Sequence, residues 1–196
     1  MDSDLHGIWL ILFATTIVVR KVHEARAGGP RSLSGIPVSE AILMSAWALL
    51  AAVAPFLFIF SDWLAFADYP FSIPPLSSLT GVAMFILAIW LLHASHRDLG
   101  AAWTPRSAPA EGGVLITDGI YAKRRHPMYA AHLLWAVAQS LILHNFIAGA
   151  GALVPLTILL CLRIPREEKE LTERFGDDYR GYCSRTGRFW PRRLRR

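Results

Sequence analysis

Tyr121, Arg125, His126, Pro127 and Tyr129 lie within one nine-residue stretch that ends at the start of a long apolar run. Arg163 and Glu167 close the next apolar run, four residues apart and so on one face of a helix. Charge placed where a membrane helix meets water is costly and marks a candidate functional site. A carboxylate such as Glu167 can hold a cationic amine or ribose hydroxyls. An arginine such as Arg163 can hold a substrate carboxylate or phosphate. Lys123 and Arg124 read as basic side chains snorkelling at a helix start. Glu168 and Arg166 are expected to face water. His93 and His96 have metal-ligand spacing but no cysteine or carboxylate beside them, so no metal site is assigned. His132 reads as a helix-packing residue and His144 as a loop residue. Gly149-Ala150-Gly151 fails the dinucleotide spacing and reads as close helix packing.

The elements that position these groups are apolar. The chain has 196 residues, 54% hydrophobic and 18% charged, which is too apolar and too weakly charged for a soluble domain. The surplus falls in five runs: Leu5–Val19, Ala41–Phe60, Leu76–Leu92, Met128–Leu143 and Phe146–Leu162. Each is near the length of a membrane-crossing helix, and the first is the shortest. The fold class is therefore an all-α integral membrane protein of about five transmembrane helices, with a C-terminal helical segment completing the site. Basic residues follow the first, third and fifth runs, whereas Asp62 and Asp68 follow the second without Lys or Arg. This predicts the N-terminus outside and the C-terminus with the site in the cytoplasm.

The loops carry their own signals. Residues 61–75 read as an extended outer cap. Val114–Thr117 is a short β-prone run ending in the Asp118-Gly119 turn. Pro127 suits a first helical turn. Arg166–Phe175 reads as an amphipathic helix capped by Gly176, with a further short helix after it. Pro165 is expected to kink or restart the helix as it leaves the bilayer.

A net charge of +5 with basic residues between and after the spans points to the anionic membrane surface and away from nucleic acid. Two cysteines, Cys161 and Cys183, give no disulfide framework. The acidic start Met1-Asp2-Ser3-Asp4 is unlike a signal peptide, so the first run is expected to be a retained span. No obligate protein partner is evident.

The C-terminal half, read as Gly119-x-Tyr121, Arg125-His126-Pro127-x-Tyr129, Glu167-Glu168-x-x-Leu171, Phe175-Gly176-x-x-Tyr179-x-x-Tyr182, Arg188 and Pro191, resembles the isoprenylcysteine carboxyl methyltransferases and their prokaryotic relatives, including membrane phospholipid methyltransferases. Ala131 stands where such proteins often have glycine. The resemblance implies a single domain, with residues 1–75 variable and 76–196 the catalytic core. It implies methyl transfer from S-adenosylmethionine (SAM) to a lipid-like or prenylated acceptor. Gly113, Val114, Leu115, Ile116, Tyr121, His126, Pro127, Met128, Tyr129 and Glu167 would bind SAM, while Arg163 and Arg125 would act on the acceptor. A carboxylate acceptor needs no general base, only a cation to place it; an amine or thiol would need a base, and Tyr121 or Glu168 are the candidates. Two other readings stay open: a membrane reductase like the sterol reductases, with Arg124, Arg125 and Arg188 on the NADPH phosphate, and a non-enzymatic membrane protein.

Overall fold

The computed structural model describes residues 2–27, 36–70, 75–100 and 114–192. Helices dominate them: α1 (Asp2–Arg26), α2 (Val38–Ala48), α3 (Ala54–Phe60), α4 (Pro75–Leu99), α5 (Pro127–Leu143) and α6 (Leu153–Arg185). Segments 3–26, 38–60, 75–99 and 146–185 are long and apolar enough to cross a membrane; α5 is shorter, at 17 residues or about 26 Å. The protein is an integral membrane protein. Helix α1 outruns its apolar stretch at both ends, so the first span is not the short one its composition predicts.

α2 and α3 form one span joined by a π-helical turn, Leu49–Val53. Pro55 has no N–H to offer the preceding turn, and the Ala54 N–H reaches back five residues to the Leu49 carbonyl. A second π-turn, Phe146–Ala150, opens the last span, with the Asn145 side chain accepting from the N–H groups of Ile147 and Ala148. One side chain joins the two π-turns. Gln139, fully buried on α5, donates to the Leu50 carbonyl at 3.2 Å and to the Ala148 carbonyl at 2.8 Å, while accepting from Trp135 Nε1.

α4 and α5 pack closely because the residues between them are small. A Cβ on Gly81 of α4 would come within 2.8 Å of Leu141 Cβ on α5; the π-turn after α5 lies as close to it, since one on Gly149 would come within 3.2 Å of Ser140 Cα. In lipid such van der Waals fit stands in for the hydrophobic effect as the driving force. Trp9, Phe85, Trp135 and Ile142 fill the core beside this contact. On the loops the expectations fare unevenly. The outer connection is not fully extended: Asp62–Ala67 forms a 3-10 helix, because the Ser61 side chain caps Trp63 N–H. Val114–Thr117 forms no strand, since no neighbouring strand offers it a ladder among the described residues. Pro165 is carried inside α6, which runs on to Gly176 (φ 53°), where the backbone breaks and a second helical piece carries Tyr179 and Tyr182. Gly176 is thus the break that its type suggests.

Candidate active site

α6 is too long to lie wholly in a hydrocarbon core of about 30 Å. The apolar part of the last span is residues 146–162, and from Arg163 onward α6 carries charge into the interface. Here α6 meets the start of α5 and the chain's returning tail. Residues 123–126 and 186–188 run side by side, with Arg125 N–H on the Gly187 carbonyl at 2.8 Å and His126 N–H on the Arg188 carbonyl at 2.9 Å. Tyr182 Oη donates to the Tyr121 carbonyl at 2.7 Å and fixes the 3-10 turn Gly119–Ala122 beneath it. Gly119 itself needs its positive φ of 58°, and a Cβ there would collide with the Asp98 carboxylate, which accepts the Ile120 N–H at 2.8 Å. The site is therefore held by α4, α5, α6 and the tail together.

Glu168 is the hub of this closure and does not face water as its sequence setting suggests. Its carboxylate accepts from Arg125 Nε at 3.1 Å, His126 Nε2 at 3.2 Å and Arg188 Nη2 at 2.7 Å. Burial alone would raise its pKa, but hydrogen bonds from His126 and Arg188, with the Arg125 charge, hold it down to about 2. Arg125 also donates to the carbonyls of Cys183 and Thr186, so its fork clamps the tail. Arg166 is likewise not simply in water: it pairs with Glu40, a buried carboxylate at the start of α2.

Glu167 points the other way. Its carboxylate accepts from Tyr129 Oη at 2.6 Å, and burial pushes its pKa up while His126, Tyr129 and Arg163 pull it back. Beside it is a cavity of about 180 Å³ walled by Arg125, His126, Pro127, Met128, Tyr129, Tyr121, Arg163 and Glu167, together with apolar side chains of α2, α4 and α6. Of the residues predicted to form the site, these eight are brought together. Val114, Leu115 and Ile116 do not line the cavity, and Gly113 lies outside the described residues.

Sequence reasoning missed several of the walls. Met44 and Trp47 come from α2, His96 and Leu99 from α4, and Arg20 from α1. His132 also faces it; three residues after Tyr129, it shares that residue's helix face, the one signal that could have found it. Its Nδ1 lies 2.8 Å from the Met128 carbonyl, which makes Nδ1–H the donor and leaves Nε2 as an acceptor. His93 and His96 are not the isolated pair they look: His23 of α1 sits 3.1 Å from His93 and stacks on His96.

Residues 81–173, the stretch that supplies most of this wall, match the model of the isoprenylcysteine carboxyl methyltransferase (ICMT) family. This segment is similar to that family. The ICMT-family name implies a methyl donor. The protein-S-isoprenylcysteine O-methyltransferase of Schizosaccharomyces pombe is 39% identical over 69 residues, 35% of this chain and 29% of that protein. Protein-S-isoprenylcysteine O-methyltransferase B of Arabidopsis thaliana is 37% identical over 107 residues, 54% of each. The chain thus spans about half the length, or less, of these curated relatives. The solved eukaryotic intramembrane Ras methyltransferase ICMT superposes with a TM-score of 0.51 at 22% identity, covering 77% of this chain and 50% of that one. At that identity the ICMT likeness concerns the fold.

Proposed function

We propose that this protein is a membrane methyltransferase that uses SAM and esterifies the carboxylate of a lipid-like acceptor, such as a prenylated cysteine, at the cytoplasmic face. The observation that carries the reading is the cavity in which Glu167 and Arg163 meet the His126–Tyr129 turn under apolar walls. The donor set suits SAM: one carboxylate for its cationic end and the rings of Tyr121, His126 and Tyr129 for its flat base. SAM supplies a methyl group already activated on a sulfonium, so the protein's task is alignment and exclusion of water.

The chain's own residues divide that task. Glu167, oriented by Tyr129, holds positive charge. Arg163 is buried and reaches Met44 Sδ at 3.6 Å, so it turns a carboxylate toward the donor from the apolar side. A carboxylate accepts a methyl group without giving up a proton, so no base is required. Arg125 at the cavity wall, with Glu168 behind it, holds the tail over the site. The apolar side chains of Leu156, Leu159 and Leu160 offer a seat to an acceptor's hydrocarbon tail.

The reductase reading loses its phosphate cradle, since Arg125 and Arg188 are both engaged by Glu168. The test is equilibrium binding of SAM to the detergent-purified protein, with NADPH as control. Micromolar SAM binding, abolished in Glu167→Ala protein that remains folded, is expected. NADPH binding with SAM inert would reverse the reading, and unchanged SAM affinity in the variant would remove Glu167 from the pocket.

A further inference from the structure

We infer that His132 selects among acceptors: its Nε2 receives a hydrogen bond from an amide N–H beside the acceptor's carboxylate, so α-amido acids are favoured over acids of the same shape without that N–H. The inference rests on the proposed methyltransferase reading and adds a specificity-determining residue of α5 to it.

Depth divides the cavity into two levels. α5 runs into the apolar layer from Pro127, and α6 runs out of it toward Arg185. Tyr129 and Glu167 meet across them at 2.6 Å and mark the outer level. His132 lies three residues further in along α5, and Arg163 four residues further in along α6. At the rise of a helix these are about 4.5 Å and about 6 Å, so the two stand at one inner level. Both line the cavity there, Arg163 beside Met44 and His132 beside Trp47. In the methyltransferase reading SAM, a cation arriving from water, belongs with Glu167 at the outer level. The head of an acceptor arriving on a hydrocarbon tail belongs at the inner one.

The His132 ring is fixed in place. Its Nδ1 gives its hydrogen to the Met128 carbonyl at 2.8 Å. Trp47 stands edge-on to it at 5.0 Å, and Trp135 lies along it at 6.3 Å. The neutral ring then offers Nε2 as a lone acceptor. Among the described residues nothing donates to that atom, and it is not sealed from the cavity that the ring lines. A ligand that displaces water from such an atom loses affinity unless it returns the hydrogen bond. Arg163 offers hydrogens at this level, and His132 accepts one. The head that answers both is a carboxylate with a hydrogen-bond donor on the adjacent carbon, and an amide N–H there can meet Nε2 while the carboxylate meets Arg163. A histidine that only packs between two tryptophans would not distinguish heads of one shape, and this separates the two roles.

The probes are N-acetyl-S-farnesylcysteine and its ester isostere, in which an oxygen replaces the amide N–H and the carboxylate is kept. Their binding, and that of SAM in a separate titration, is read by calorimetry on the full-length protein in detergent, so that no turnover intervenes. The wild type is expected to prefer the amide by about tenfold, as one hydrogen bond gained and one lone-pair clash avoided warrant. His132→Phe keeps a ring between the tryptophans and should bring the two probes within about twofold of each other, by weakening the amide alone. His132→Gln, which returns an acceptor oxygen, should keep a preference of at least about threefold. SAM affinity should hold within about twofold in both variants, which also reports that they are folded. A full preference surviving in His132→Phe overturns the inference, as does an equal loss of both probes or a parallel loss of SAM. A wild type that binds SAM but does not favour the amide overturns it while leaving the methyl-donor reading standing. A wild type that binds no SAM overturns the proposed function and the inference with it.

Discussion

Glu168→Gln should loosen the closure over the site by an amount the geometry allows to be worked out. The carboxylate serves three cationic or polar partners, and Arg125 and His126 keep only 12% and 3% of their side chains exposed. The depression of Glu168 from 4.5 to about 2 corresponds to about 3 kcal/mol in favour of the ionised, folded form. Arg188 is 55% exposed and its share is screened by water, so the expected net loss is about 2 kcal/mol. The folded pKa lies below the unfolded one, so this stabilisation is complete above about pH 4.5 and is lost as the pH falls toward 2. In thermal unfolding of the detergent-solubilised protein, the variant should melt about 4–8 °C below the wild type at pH 7. The gap should narrow as both are acidified through pH 4 to pH 3. A gap that stays constant over that range would refute the assignment of the stabilisation to ionised Glu168, and no gap at pH 7 would refute the hub itself.

Two further substitutions test other joints. Removing one partner from a buried pair is costly only when the charge left behind stays buried. Glu40 is 2% exposed, whereas the Arg166 side chain is 44% exposed, so Arg166→Met should destabilise more than Glu40→Gln, by about 1–2 kcal/mol in the same melt. Gly81→Val should lower the yield of folded protein or its melting point by the equivalent of about 1–3 kcal/mol, because Leu141 and the Ala138 carbonyl already stand where the new side chain must go. A variant as stable as the wild type would show that α4 and α5 can separate at that level.

The helical segments were legible because each apolar run is long and its ends carry punctuation: Pro127 opens α5, and Gly176 breaks the last helix at a positive φ. Much of the site was legible for a related reason. Arg163 and Glu167 share a helix face by spacing alone, and the Arg125–Tyr129 turn sits at a helix start. The part Glu168 plays in the closure was not legible. Two adjacent glutamates differ by one step around the helix, and which of them meets the tail depends on where residues 186–188 return, a contact made across 20 residues. Arg20 was hidden in the same way: in the sequence it is the first of several basic residues after a span, and only the packing of α1 against α4 brings it to the cavity. The π-turns left no periodic trace, since one extra residue in a uniformly apolar run does not disturb its composition.

The first of those turns, Leu49–Val53, makes the second span a two-phase object. A π-turn carries one residue more than the α-helix it interrupts, and each residue is worth about 100° of rotation. On one side of Leu49–Val53, Trp47 meets His132 and Trp135; on the other, Phe56 meets Trp9 and Phe13. Deleting a single residue there would heal the helix and swing one of those aromatic faces out toward lipid by more than a quarter turn. Gln139, reaching both turns at once, would lose its Leu50 partner in the same event. An alignment that closes a one-residue gap in this span on apolar similarity alone will therefore pair cavity-lining positions of one protein with lipid-facing positions of another.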